Sequence, residues 1–411
     1  MVDQRWRCLN CGSCCRDTEV PITGEEARKI ESQDWQAEPE LAGRKLIVHR
    51  GGLLLRRSHA LARRPDGACV FLTRDNLCRI HAAHGERAKP LACRLYPWFF
   101  VPVAGEIRLG VRFHCPAVAR NEGNQEFEGQ LRALCREVAP RGAAEPPAPL
   151  LKRGERLPWP DALQLLRAFE QIGLDESLPI TRRLLKLASF CDLLEEAKTA
   201  KLRGERFAEL VELLSGYAGK EKVGTRELSS FAKLHCRQLV SIYARKEGVS
   251  AEQRRVVGRV RSLMAGVRFA RGVGEIPRLQ PILPEADFED IEEPFEPLGR
   301  DASEPLARYY AIKLGSCQYF GRAYYNWPIL DGARALLLTF PVTLWVARWF
   351  AVGGGRRGLS REDVIHALMV VDHNYGYHPL LGAGREVRRV RVLATKGEIG
   401  HLAAWYAGGS L

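Results

Sequence analysis

C-L-N-C-G-S-C-C, at residues 8–15, is the most informative stretch of this 411-residue chain. It places Cys8, Cys11, Cys14 and Cys15 in a C-x2-C-x2-C-C run. Cysteines three residues apart at a tight turn or a helix start direct their sulfurs to the same side, which is a common spacing of metal ligands. We therefore predict that the chain is built around a sulfur-ligated metal site near its N-terminus.

Further candidate ligands follow this run. Cys69, Cys78, Cys93 and Cys115 complete a group of eight cysteines, and His81 follows Cys78 at a common ligand offset. His81 either completes a zinc site of three cysteines and one histidine or is a hydrogen-bonded neighbour of the site. Four further cysteines occur singly in sequence that is predicted to be helical, and we predict that their side chains are buried and inert. These are Cys135, Cys191, Cys236 and Cys317.

Eight cysteines in one module indicate either a metal site or a disulfide framework. The first residues, MVDQRWRC, do not read as a secretory leader, so we expect a cytoplasmic protein, in which such spacings indicate metal binding. With eight thiolates and a single well-placed histidine, the ligands favour a [4Fe–4S] cluster, with Zn²⁺ as the alternative.

The assignment of individual ligands stays open. Cys8, Cys11 and Cys14 match the first three ligands of a ferredoxin-like run, which normally continues into a nearby Cys-Pro. The Cys-Pro pair at 115–116 supplies the fourth ligand from a distance, or one of the three intervening cysteines does. Adjacent cysteines point in different directions, so either Cys14 or Cys15 serves a second site or remains a free, redox-active thiol.

Patterning along the chain predicts an α+β protein. We expect a small β-rich cysteine-cluster metal module at 1–120, a helix and a Pro-rich linker at 121–160, and a larger all-α domain at 161–411. Thr23 followed by Glu26 predicts a helix start inside the first module. Because this module contains little apolar sequence, we predict that it needs its metal to fold.

Neither a membrane nor a nucleic acid is an expected partner. The formal net charge of +13 is spread along the chain and does not coincide with an aromatic recognition strand, which argues against nucleic-acid binding. The most apolar stretch, 328–351, has too short a charge-free run to span a bilayer. We predict a buried core helix that is kinked or broken at Pro341.

The N-terminal motifs resemble the CxxCxxCC cysteine-cluster family of zinc- or iron-chelating proteins. The matching text is C-L-N-C-G-S-C-C at 8–15, C-V-F-L-T-R-D-N-L-C-R-I-H at 69–81, K-P-L-A-C-R-L-Y-P-W at 89–98 and H-C-P at 114–116. The long helical extension is similar to that of the flagellin lysine-N-methylase branch. The text that carries this second resemblance is S-E-P-L-A-R-Y-Y-A-I-K at 303–313 and G-L-S-R-E-D-V-I at 358–365.

The second resemblance implies a [4Fe–4S]-dependent enzyme that transfers a methyl group from S-adenosylmethionine to lysines of a protein such as flagellin. Arg94 and Tyr96, close to Cys93, are predicted cofactor-binding residues, and Arg94 either neutralises cluster charge or binds a substrate carboxylate. The compact first cysteine block departs from the methylase pattern, and the sequence identifies no catalytic residue. The alternative function is a non-enzymatic zinc- or iron-binding protein with a structural or sensory metal.

Overall fold

The chain folds as predicted into an α+β structure, with a small β-containing region followed by many helices. The computed structural model describes residues 4–35, 38–50, 58–124, 131, 134–135, 137, 146–220, 227–246 and 256–408.

The cysteine-rich part consists of short helices, a three-stranded sheet and a hairpin. In chain order its elements are α1 (Ser13–Asp17), β1 (Pro21–Ile22), α2 (Gly24–Glu31), β2 (Ile47–Arg50), β3 (Ser58–Leu61), α3 (Arg79–His84), a 3-10 turn (Glu86–Ala88), α4 (Leu91–Leu95), β4 (Trp98–Val103), β5 (Glu106–Val111) and α5 (Pro116–Arg120). Strand β3 lies between β1 and β2, antiparallel to both, and β4 pairs with β5. The predicted helix start is confirmed, because Thr23 and Glu26 cap α2 reciprocally.

Helices dominate the rest of the chain. Its elements are β6 (Leu150–Lys152), β7 (Glu155–Arg156), α6 (Trp159–Leu174), α7 (Ile180–Glu196), α8 (Glu205–Tyr217), α9 (Ser230–Tyr243), α10 (Val256–Arg271), α11 (Phe288–Glu292), α12 (Arg300–Gly315), α13 (Ile329–Gly353), α14 (Arg361–Asn374), α15 (Gly384–Thr395) and α16 (Glu398–Tyr406). Helix α13 is central: α7, α9, α11, α14, α15 and α16 all pack against it.

Helix α13 is the one described helix that is long and apolar enough to cross a membrane, yet 89% of its most apolar 18-residue window is buried inside the protein. It is therefore a core helix, as the sequence predicts. Of the two predicted outcomes at Pro341, a kink or a break, the break is wrong, because the helix continues through the proline. An internal proline costs about 3 kcal/mol, and burial of the side chains on both sides of Pro341 offsets this.

Buried apolar side chains form two separate clusters. The small core draws its buried residues from the region between Ile22 and Ile80. The large core contains the helices and, in addition, Val101, Phe113 and Val118 from β4, the turn after β5 and α5. The β4–β5 hairpin therefore packs with the helices, although it lies between cysteine motifs in the sequence. The domain boundaries given above stay a prediction.

Candidate metal centre

The eight N-terminal cysteines lie on turns and at helix starts, where short side chains can approach one another. Cys14 and Cys15 are in α1, Cys78 and Cys115 directly precede α3 and α5, and Cys93 is in α4. Helix α1 follows Gly12, whose φ of 71° is in the left-handed region that favours glycine. This turn brings the first cysteine block close to the later ones.

Backbone hydrogen bonds draw Cys69 and Cys78 toward Cys15. The amide of Cys69 donates to the carbonyl of Cys15 at 2.7 Å. Leu72 forms an isolated β-bridge with Cys78, and the Leu72 amide donates to the Cys69 carbonyl at 3.0 Å. The backbone of Cys69 therefore contacts α1, and the bridge between Leu72 and Cys78 closes the turn that joins Cys69 to Cys78.

Helix α4, which carries Cys93, is held in place by a carboxylate of α2. Glu26 accepts a hydrogen bond from the Thr23 amide at 2.7 Å with one oxygen, and one from the Leu91 amide at 2.7 Å with the other. The residue that caps α2 therefore also anchors the start of α4, and Cys93 packs against the small core.

The N-terminal segment runs beside α5, on the other side of the cysteine group. The Trp6 amide donates to the carbonyl of Asn124 at 3.3 Å, and the Arg5 amide donates to the side-chain oxygen of Asn121 at 2.7 Å. Both asparagines lie just beyond α5, the helix that Cys115 precedes. These contacts bring the segment that contains Cys8 to the end of the module that holds Cys115.

Exposure differs strongly among the cysteines. Cys69 and Cys115 are buried, Cys14, Cys15, Cys78 and Cys93 are partly buried, and Cys8 and Cys11 are exposed. The sulfurs of Cys14 and Cys15 are 3.9 Å apart. Within the described ranges, no three Cys, His, Asp or Glu side chains yet converge in the arrangement that holds a metal ion. Metal binding would therefore have to rotate thiols that the backbone already brings close.

Burial and the charges of other thiols both raise the pKa of several cysteines. The pKa of Cys69 is raised to about 12, mainly by burial and in part by the charges of Cys15 and Cys78. Burial also raises the pKa of Cys93, and so do the charges of Cys69, Cys15 and Cys78. For Cys115, by contrast, the thiol whose charge contributes most to its raised pKa is Cys11. Burial and mutual repulsion therefore both disfavour ionisation of these thiols.

One thiol is favoured as the thiolate. A hydrogen bond from Cys14 lowers the pKa of Cys15 to about 7, and the positive charges of Lys89, Arg16 and Arg63 also lower it. The chemistry of this donor set, eight thiols with basic side chains near one of them, fits a thiolate-bound zinc ion or iron–sulfur cluster.

The other predicted site residues lie around this group. The His81 side chain is exposed on α3, and it is the backbone amide of His81 that lowers the pKa of Cys78, against the larger effect of burial. Arg94 forms an ion pair with Glu137. The Tyr96 hydroxyl is buried and has no hydrogen-bond partner within the described ranges. Its pKa is raised mainly by burial and, to a smaller extent, by the negative charges of Cys115 and Cys14.

A buried polar cluster next to Cys115 was missed from the sequence. Lys313 of α12 pairs with Asp372 of α14 at 2.6 Å, and both side chains are 1% exposed. The ammonium group lies 5.1–5.2 Å from the ring centres of Phe99, Tyr309 and Tyr375. The signal available in the sequence was a lysine on the apolar face of a helix.

Residues adjacent to Cys115 also bind the helical part. Arg112 donates to the carbonyl of His373 at 2.9 Å, and the His114 amide donates to Asp372 at 3.3 Å. The rings of His114 and His373 contact each other with nitrogens 3.1 Å apart, and burial lowers the pKa of His373 well below its usual value. The segment between β5 and Cys115 is thus held by α14.

The structure thus joins a small cysteine-rich, β-containing region to a larger helical part of the chain. Residues 7–131 match the family model CxxCxxCC, described as a "putative zinc- or iron-chelating domain". The match supports zinc or iron binding by the cysteine-rich part of the chain.

A relative from Methanocaldococcus jannaschii, an uncharacterized protein, is 22% identical over 139 residues. The aligned region is 32% of this chain and 44% of the relative, so the chain spans less than half of that protein's length. No solved structure matches the chain.

Proposed function

We propose that the cysteine-rich module binds its metal through thiolates and that the metal includes a [4Fe–4S] cluster. The observation that carries this proposal is the position of four of the eight cysteines around one core: Cys69 is buried in the small core, and Cys15, Cys78 and Cys93 pack against it. Such a cluster supplies one-electron transfer when bound. The chain's own contribution is to bury the inner thiols and to place Lys89, Arg16 and Arg63 where they favour a thiolate.

Purification without oxygen tests the metal. We expect brown protein with broad visible absorption that dithionite bleaches, because sulfide and thiolate ligands give iron intense charge-transfer bands. Iron and acid-labile sulfide should be present in equal amounts. Colourless protein with stoichiometric zinc and no sulfide would contradict the cluster and support the alternative of a structural or sensory zinc site.

We keep methyl transfer from S-adenosylmethionine to protein lysines as a second candidate function. Its support is the position, in the structure, of the segment whose sequence resembles the methylases. Within 303–313, Arg308 donates to the carbonyls of Val118 and Ala119 at 2.7 and 2.6 Å, so this text packs directly against α5. Lys313, in the same text, is the buried partner of Asp372. The same contacts also suit a purely structural role in holding the cysteine module.

Two segments whose side chains could contact a protein substrate, one acidic and one aromatic, make their contacts within the chain. In the acidic segment 285–296, Arg357 pairs with Asp290 and Glu293, and Glu292 lies 3.5 Å from Arg237. Most of the aromatic side chains at 309–327 are buried in the large core. A lysine-bearing partner such as flagellin therefore rests on the resemblance alone.

Calorimetry tests the second function. Metal-loaded full-length protein should bind S-adenosylmethionine and transfer labelled methyl groups to flagellin lysines. If Arg94 contacts the cofactor, Arg94→Ala should weaken binding, whereas Arg278→Ala, a matched change in an exposed ion pair, should not. Absence of binding to protein whose cluster is confirmed would exclude this enzyme activity and leave metal binding as the function.

A further inference from the structure

We propose that this chain associates with a second copy of itself through two oppositely charged helix faces, one on α10 and one on α8. The basic stripe of α10 consists of Val260, Arg261, Leu263, Met264, Val267 and Arg268. The acidic stripe of α8 consists of Glu205, Glu209, Glu212, Leu213 and Tyr217. In the proposed contact, the basic stripe of one copy packs against the acidic stripe of the other.

Helix α10 exposes a row of apolar side chains on the face opposite to the core. On the core side, α9 packs along the helix, and the fully buried Phe269 contacts the rings of Trp345 and Trp349. On the other side lie four aliphatic side chains that are between 45% and 69% exposed, namely Val260, Leu263, Met264 and Val267. Their spacing of i, i+3, i+4 and i+7 is that of the anchors with which a helix binds an apolar surface of a partner.

Arginines line one flank of this apolar row. Arg261 and Arg268 are both exposed, and neither forms an ion pair with any residue that the structure describes. The surrounding sequence, 253–274, contains six arginines but neither aspartate nor glutamate. The basic stripe is therefore complementary to a surface that combines apolar side chains with carboxylates.

Helix α8 presents such a surface. Phe207 is buried on its core side, whereas Leu213 and Tyr217 are 69% and 51% exposed, although Lys220 contacts the Tyr217 ring. Three exposed glutamates accompany them, none of which has an ion-pair partner in the described part of the chain: Glu205, Glu209 and Glu212. Because Arg206 is the one basic residue in the sequence of α8, this face is acidic.

The charges of the two stripes have matching spacings. Arg261 and Arg268 are seven residues apart, as are Glu205 and Glu212, so each pair is separated by about 10.5 Å along its helix. Helices that lie side by side can therefore form both ion pairs while the apolar side chains pack between them. Within one chain α8 packs on α6 and α7, whereas α10 packs on α9, and both stripes stay exposed. A second copy brings a complementary stripe to each.

Other occupants account for less of what is exposed. Pairing of α10 with another α10 would oppose arginine with arginine. An anionic lipid surface would attract the basic stripe but repel the acidic one, and the basic stripe lacks the Trp and Tyr side chains that are typical of membrane interfaces. One contact between copies covers both stripes with neutralised charge.

Sedimentation of full-length protein over a range of concentrations tests the association. Purification without oxygen and with a reductant prevents disulfide-linked dimers through the exposed Cys8 and Cys11. We expect association that increases with protein concentration and weakens as salt is added, because salt screens exposed charges. Leu263→Asp and Leu213→Asp should each abolish it. The matched control is Val392→Asp, at an exposed apolar residue of α15, which should associate like the unmodified protein.

Two further measurements identify the contact. A mixture of the Leu263→Asp and Leu213→Asp variants should associate, because the first keeps an intact acidic stripe and the second an intact basic stripe. Arg261→Glu combined with Arg268→Glu should weaken association about tenfold or more, since like charges then face each other. Adding Glu205→Arg and Glu212→Arg to the same chain should restore it. All substituted residues are exposed, so circular dichroism should show an unchanged fold.

Several results would overturn the proposal. The first is unmodified protein that stays monomeric at every soluble concentration, whether or not it binds phosphatidylglycerol vesicles. The second is association that survives Leu263→Asp or Leu213→Asp. The third is a mixture of these two variants that remains monomeric, because the contact would then not join one stripe to the other.

Discussion

Asp372→Ala is expected to destabilise the folded protein by about 3–5 kcal/mol, because it leaves the ammonium group of Lys313 buried without its counter-charge. Burial lowers the pKa of Lys313, while Asp372 raises it. Without Asp372 the folded protein therefore releases this proton more readily than the unfolded chain does. The stability of the variant, measured by denaturant unfolding, should consequently rise with pH in the alkaline range more steeply than that of the unmodified protein.

Two further variants separate charge from packing. Lys313→Met combined with Asp372→Leu removes both charges and should recover much of the lost stability. Arg278→Ala disrupts an ion pair with Glu285 whose side chains are 45% and 77% exposed, and it should change stability by less than about 1 kcal/mol. A loss below about 1 kcal/mol for Asp372→Ala would show that the pair does not support the core.

Metal removal is expected to unfold the small core and leave the large core folded. The small core is built from short helices and a three-stranded sheet, which cannot by themselves offset the loss of chain entropy on folding. Binding of a structural metal contributes about 10 kcal/mol or more in comparable small modules. Hydrogen exchange followed by mass spectrometry should show loss of protection in α2, β3 and α3 after chelation.

The internal control for this experiment is α13, whose amides should keep their protection because α13 is buried in the large core. Restoring the metal should restore protection in the small core. Equal protection of both cores in metal-free protein would contradict a metal-dependent module. Uniform loss would instead show that the metal also supports the large core.

Much of the secondary structure could be predicted from local patterns in the sequence. Thr23 and Glu26 predicted the start of α2, since a capping box depends on residues only three positions apart. The helical region was predicted from the recurrence of apolar residues, which reflects one buried face per helix. A break at Pro341, one of the two predicted outcomes, does not occur because packing from six neighbouring helices outweighs the local cost of the proline.

Long-range features could not be predicted in this way. Nothing in the local sequence indicated that the β4–β5 hairpin packs with helices, or that Lys313 meets Asp372 across 59 positions of chain. The cysteines were identified as ligands from their spacing, but their neighbours depend on how Glu26 holds α4 and how Asn121 and Asn124 hold the N-terminal segment. The site residues themselves stay a prediction until metal is measured.

The hydrogen bonds from Arg308 to α5 limit which parts of the chain can be transferred to another protein by recombination. Its guanidinium group donates to two carbonyls of α5, and its side chain is 4% exposed. A recombination event that moved residues 7–131 alone would leave those carbonyls, and the strand before Cys115, without the helices that bind them. Transfer of this motif between genes should therefore succeed when α12 and α14 travel with it, or when the recipient already supplies equivalent donors.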